Sequence, residues 1–179
     1  KELAIEDKFV LGHVGRFSKQ KNHFFLLEIF SEVCKIIPNA VLLLIGQGEL
    51  ENEIKNKTKE LQITEKVRFL GVRSDVNDLL NAFDVFVFPS LYEGMPNTII
   101  EAQTNGLLCL ISDTITKEVK VTDLVYMKSL NENSSAWVDI IFQIKNRDIK
   151  REQYALKMKK AGYDIINCTN RFVNLIFDE

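Results

Sequence analysis

Short apolar runs of strand length alternate along this chain with longer stretches in which apolar positions recur every three or four residues. The short runs cover residues 9–14, 40–45, 67–70, 85–88 and 107–111, with a further one at 124–127. They are apolar on both faces, as strands must be when helices cover each side of their sheet. Between the first two, Phe24, Phe25, Leu27, Ile29 and Phe30, then Val33, Ile36 and Ile37, recur at helical spacing until Pro38-Asn39 ends the pattern. Further helices are predicted over 49–61, 75–83 and 96–104, the second with Ser74 or Asp75 as N-cap and the third stopped by Asn105-Gly106. After Ser134 only helical patterns remain, over 135–145, 151–162 and 167–177. Strands alternating with helices predict βαβ units. The expected fold is α/β: a Rossmann-like doubly wound parallel sheet of about six strands with helices on both faces and extra C-terminal helices.

At 179 residues the chain fits a single domain, 1–179, and folding at that size removes about 70% of the unfolded surface from water. With 46% hydrophobic and 27% charged residues the composition is that of a globular domain rather than a disordered one. A net charge of -2 provides no general attraction to nucleic acid or acidic lipid, so any anion must be held by local groups. Cys34, Cys109 and Cys168 are far apart and form no C-x-x-C pair, which points to neither a disulfide framework nor a zinc site and fits a reducing cytosol. No apolar run approaches the ~18 residues of a membrane span. The chain opens at Lys1 close to a strand, and the expectation is a piece of a longer protein.

Chemistry concentrates where strands run out. The run at 85–88 leads into Pro89-Ser90-Leu91-Tyr92-Glu93-Gly94-Met95-Pro96-Asn97 and then a helix carrying Glu101. In open α/β folds ligands bind at that edge of the sheet. Two carboxylates there, one in the loop and one in the helix, suit a polyhydroxylated ligand such as a sugar or ribose, although a helix start also tolerates acidic residues facing solvent. The first run leads into Gly15-Arg16-Phe17-Ser18-Lys19-Gln20-Lys21-Asn22. Gly15 permits close backbone approach, and Arg16 and Lys21 flank a turn next to a helix start, an arrangement suited to a phosphate or diphosphate. Two solvated surface cations are the competing reading. Gly46 and Gly48 mark either a tight turn or a backbone–ligand contact, and Gly71-Val72-Arg73 closes a strand in the same way, where it borders a prospective base pocket. His13 and His23 have no metal-ligand spacing and are assigned packing or surface roles; Trp137 is assigned to core or interdomain surface.

Taken together, Gly15-Arg16-Phe17-Ser18-x-Gln20-Lys21-Asn22, Gly46-x-Gly48-x-Leu50, Val67-x-Phe69-Leu70-Gly71, Asp84-x5-Pro89-Ser90-x2-Glu93-Gly94-x-Pro96 and Glu101-Ala102 with Gly106 resemble the donor-binding domain of family-four retaining glycosyltransferases, two-domain enzymes of the GT-B fold. The resemblance covers about residues 9–145. It implies that Arg16 and Lys21 hold the donor diphosphate, approached by the Gly15 amide. Glu101 would bind the ribose and Glu93 the transferred sugar. Gly94, Met95, Pro96 and Asn97 would line the sugar and phosphate site, and Val72 and Arg73 would flank the base. It further implies a nucleotide-sugar donor, UDP-sugar favoured, with no metal or other cofactor. The family's N-terminal acceptor domain is missing from the chain, so donor binding without transfer is expected, and membrane contact only through that domain. The expected location is the cytoplasm, peripheral at the inner membrane face for the full-length enzyme. The stretch from Ser112-Asp113 to Val119 is similar to members that build capsule or exopolysaccharide. A nucleotide-sugar 2-epimerase half and a non-catalytic nucleotide-binding module are the alternatives.

Overall fold

The computed structural model describes residues 3–177. Six strands form one parallel sheet: β1 (Phe9–Val14), β2 (Ala40–Ile45), β3 (Val67–Phe69), β4 (Val85–Phe88), β5 (Leu108–Ser112) and β6 (Val125–Lys128). Their order across the sheet is β3-β2-β1-β4-β5-β6. Among the described residues seven α-helices accompany them: α1 (His23–Ile36), α2 (Glu51–Glu60), α3 (Val76–Leu80), α4 (Asn97–Thr104), α5 (Ser134–Ile144), α6 (Glu152–Lys160) and α7 (Ile165–Phe177). Among the described residues no helix is long and apolar enough to cross a membrane.

The doubly apolar strands produce two cores. Side chains alternate across a strand, so Leu42 and Leu44 of β2 and Val85 and Val87 of β4 share one face with Leu27 and Phe30 of α1, Ile54 of α2 and Trp137 and Ile141 of α5. Val41, Leu43 and Ile45 share the other face with Phe86 and Phe88, against Leu79 and Leu80 of α3 and Ile99 and Ala102 of α4. Each fully buried side chain of this kind contributes about 1.5–3 kcal/mol. Trp137 belongs to the core: it is 0% exposed, meets Phe25 edge to face at 5.5 Å and donates its indole N–H to the Ser129 carbonyl at 3.0 Å.

Two staples fix the entry to β4 beside β1. The Val10 amide donates to the Asp84 carboxylate at 2.6 Å, and the Asp84 amide donates to the Val10 carbonyl at 2.9 Å. Burial raises the Asp84 carboxyl above its ordinary value despite that bond.

The helix 75–83 shortens to Val76–Leu80, because Ala82 and Phe83 bond three residues back in a tighter turn. Asp75 sits at the N-cap position, but its carboxylate does not cap. Arg73 takes both oxygens, at 2.8 and 2.6 Å. The last helix begins at Ile165 rather than Asn167, where the Asp164 side chain accepts from the amides of Ile166 and Asn167. It presents Ile165, Ile166, Phe172, Val173 and Ile176 to solvent.

Candidate functional site

The strand order reverses between β1 and β4, and the loops that leave those two strands meet in the crevice expected at such a reversal. After β1, the segment Lys19–Lys21 makes one turn of 3-10 helix, and Asn22 at φ 55° reverses the chain into α1. After β4, Pro89 to Pro96 lead into α4, whose N-cap is Pro96. That residue makes no side-chain cap bond, and the first amides of any helix have no intrahelical acceptor.

The loops are joined by side chain and backbone. Lys21 Nζ lies 2.5 Å from Glu93 Oε1, with the two side chains only 16% and 11% exposed. The ammonium also stands 4.6 Å over the Phe88 ring. Gln20 Nε2 donates to the Tyr92 carbonyl at 2.9 Å, and the Leu91 amide donates to the Gln20 carbonyl at 2.8 Å. Beneath them the Ser90 carbonyl accepts from Ser112 Oγ at 2.5 Å and Thr114 Oγ1 at 3.0 Å, which ties the loop to the end of β5. Lys21 is therefore not a solvated surface cation; its charge is matched at short range in a half-buried setting.

Arg16 stands at the rim, 74% exposed, with its Nε 3.2 Å from Glu49 Oε2. The Glu49 carboxyl is held below its ordinary value, first by its own backbone N–H and then by the Arg16 charge. Arg16, Glu49, Ser18, Lys19, Gln20 and Tyr92 line a hollow of about 320 Å³. Gly46 and Gly48 are packing glycines. A Cβ on Gly46, at φ +135°, would lie 2.1 Å from the Gly15 carbonyl oxygen, and one on Gly48 would meet the Phe17 backbone at 2.5 Å. The amides of Gly15 and Phe17 donate to Ile45 and Gln47. The Gly15 amide is thus used inside the fold rather than pointed at a ligand, because the β1–β2 ladder continues one residue past the strands. What Gly15 offers the cleft is its missing side chain.

The remaining sequence candidates lie outside this pair of loops or at its margin. Gly94 is open, with no atom near a notional Cβ; Met95 and Asn97 are exposed, and Pro96 is buried. Glu101 is exposed on α4, and its backbone carbonyl accepts from the Asn105 side chain. Val72 is 70% exposed. Arg73, paired with Asp75, lines a separate hollow of about 440 Å³ against Leu3, Ile5 and Lys8 of the N-terminal segment. The structure brings together Lys21, Glu93 and Gly15, places Arg16 beside them, and sets Glu101 exposed on α4 and Arg73 against Asp75.

Sequence reasoning gave no role to Gln20, Tyr92, Glu49, Ser90, Ser112 or Thr114. Their contacts span up to 72 residues and, apart from the Glu49–Arg16 ion pair, rest on backbone carbonyls, for which residue type carries little signal. His13 and His23 are both buried, so a surface role falls away for either. Among the described residues no three His, Cys, Asp or Glu side chains gather as metal ligands would.

An all-parallel sheet in this order, with a basic turn after β1 and an acidic loop after β4, defines a Rossmann-like α/β domain with a charged cleft at its strand-order reversal. The chain belongs to the family described as glycosyl transferases group 1, whose model matches residues 1–161. It is 39% identical over 160 residues to EpsF of Bacillus subtilis (strain 168), named as a glycosyltransferase, covering 88% of this chain and 42% of EpsF. It is 40% identical over 110 residues to an Escherichia coli UDP-Gal:alpha-D-GlcNAc-diphosphoundecaprenol alpha-1,3-galactosyltransferase, covering 60% of this chain and 28% of that protein. The fold matches the crystal structure of Anabaena HepE in complex with UDP and glucose at a TM-score of 0.83 and 18% identity, over 99% of this chain and 50% of HepE. The chain thus spans half or less of the length of these relatives.

Proposed function

We propose that this chain is the donor-binding half of a retaining, metal-independent glycosyltransferase and that it takes a UDP-sugar. The observation that carries the reading is the meeting of Lys21 and Glu93, 72 residues apart in sequence, at the reversal between β1 and β4. A cation and a carboxylate side by side suit a ligand that offers a diphosphate and sugar hydroxyls together. Lys21 and Arg16 take the diphosphate, Glu93 the transferred sugar and Glu101 the ribose, with Gly94 to Asn97 lining the space between and Val72 and Arg73 near the base. Membership of the family and the UDP and glucose named for the HepE complex support this assignment.

Transfer proceeds on one face of the sugar. The bond from the anomeric carbon to the diphosphate oxygen breaks, the acceptor oxygen bonds to the same face, and the acceptor proton passes to the departing diphosphate. Charge grows on the leaving group, and Arg16 and Lys21 lower the barrier by stabilising it more in the transition state than in the ground state. Glu93 positions the sugar and forms no covalent intermediate. An N-terminal acceptor domain in the full-length protein supplies the acceptor, and a polyprenyl-linked glycan or surface polysaccharide is the proposed product class. The name of the Escherichia coli relative supports that class. The full-length enzyme works at the inner membrane face.

Titration calorimetry with UDP, GDP and ADP tests the donor site. UDP should bind wild type, and Glu101→Ala and Arg16→Ala should each weaken it. Absence of binding by any nucleotide, or unchanged affinity in both variants, sinks the assignment.

A further inference from the structure

Beneath the Lys21–Glu93 pair lies a set of polar atoms that donor binding leaves unused. His13 on β1 and His23 at the start of α1 are 0% and 1% exposed, with ring centroids 4.6 Å apart, edge to face. His13 stacks on Phe88 at 5.2 Å, and His23 meets Phe17 edge-on at 4.8 Å. His13 Nδ1 lies 2.9 Å from the Val87 carbonyl, whereas among the described residues His13 Nε2 and both nitrogens of His23 have no hydrogen-bond partner. A carbonyl only accepts, so Nδ1 carries the hydrogen and Nε2 of the neutral ring is a bare lone pair. Native folds rarely keep a buried polar atom unsatisfied without cause.

Gly15 borders that atom. A Cβ on Gly15 would lie 3.1 Å from His13 Nε2 and 3.2 Å from Lys21 Cε. Nε2 and the lysine stem therefore border the same point, kept open by the missing side chain. Phe88 sits under both, stacked on His13 and beneath the Lys21 ammonium.

We propose that His13 is a positioning residue for Lys21, its bare Nε2 accepting one N–H of the ammonium when Glu93 turns to a ligand. An ammonium has three N–H bonds, and Glu93 takes one here. Once Glu93 leaves and one N–H is seated on His13, two remain for phosphate oxygens, and the lysine keeps its place over Phe88. Burial brings His13 down to about 4, and the Lys21 charge adds to the effect, so the ring stays neutral and able to accept. His23, brought down to about 2 by burial with His13 and Lys21 adding, is the neutral wall that fixes the ring plane.

The purpose of the seat rests on the donor reading; the contact itself does not. Nitrogen-15 spectra of the histidine rings test it without any nucleotide. Wild type should show His13 protonated at Nδ1 and bare at Nε2. Glu93→Ala, which frees Lys21, should move the Nε2 resonance toward a hydrogen-bonded value, and adding Lys21→Met should reverse that move. A protonated Nε2, or one resonance position in both variants, overturns the proposal. Calorimetry with UDP follows. His13→Phe should weaken UDP about as much as Lys21→Met, the two together no more than either, while His13→Gln, which keeps an acceptor, should recover part of the loss. UDP binding that depends on Lys21 but not on His13 overturns the positioning role. If wild type binds no UDP, the donor reading fails, and the ring spectra still decide the contact. If His13→Phe does not fold, His13→Gln and the spectra carry the decision.

Discussion

Acid should destabilise this domain through its two buried imidazoles. Burial lowers His13 from 6.5 to about 4 and His23 from 6.5 to about 2. Between those values and 6.5 the unfolded chain binds protons that the folded chain refuses, so stability is complete above about pH 6.5 and falls as pH drops below it. At about pH 5 each histidine has cost the fold about 2 kcal/mol, or about 4 kcal/mol for the pair, against the 5–15 kcal/mol of an ordinary domain. Asp84, raised by its burial, acts in the opposite sense and trims the loss. Asp75 and Asp123, both held low, add theirs only in stronger acid. Urea unfolding followed by tryptophan fluorescence reads the effect directly through Trp137. With a slope of about 2 kcal/mol/M the midpoint should fall by about 2 M between about pH 7.5 and pH 5. His13→Phe should remove roughly half of that fall. Coincident midpoints across this range, or an equal fall in the variant, would refute the reasoning.

Other perturbations separate packing from chemistry. Gly46→Ala forces a Cβ to 2.1 Å from the Gly15 carbonyl at a φ of +135°, and should cost at least ~2 kcal/mol in the same urea assay while loosening the Lys21 turn. Trp137→Ala empties the core site between α1 and α5 and should cost about 3–5 kcal/mol, with the loss seen by circular dichroism in urea. Lys21→Met in the full-length enzyme should lower kcat by ~10² or more with the fold intact by circular dichroism, and an unchanged kcat would remove Lys21 from the chemistry.

The framework was legible because strand and helix signals are local. Doubly apolar runs such as 40–45 and 85–88 can only be buried strands, and each became one with the bounds expected. Boundaries moved where a side chain had a better partner than the one assumed: Asp75 turned from its helix to Arg73, and Asp164 drew the start of α7 back by two residues. The site was legible as residue types and not as contacts. Glu93 and Glu101 read as a pair because they are close in sequence, yet Glu93 is committed to Lys21 while Glu101 stands exposed on α4. The His13–His23 contact was invisible for the same reason. One residue lies within a strand and the other begins a helix, and only the tertiary fold brings their rings together.

The stitches from Gln20 to Tyr92 and Leu91, and from Ser112 and Thr114 to Ser90, bear on how this domain can change over generations. Each of these bonds ends on a main-chain carbonyl, so the accepting loop tolerates new side chains far better than new lengths, since an inserted residue would move its carbonyls away from their donors. Divergence in ligand preference should therefore accumulate as residue exchange at outward positions such as Tyr92, Gly94 and Met95. Insertions and deletions should gather in other connections, away from the β1 and β4 exits.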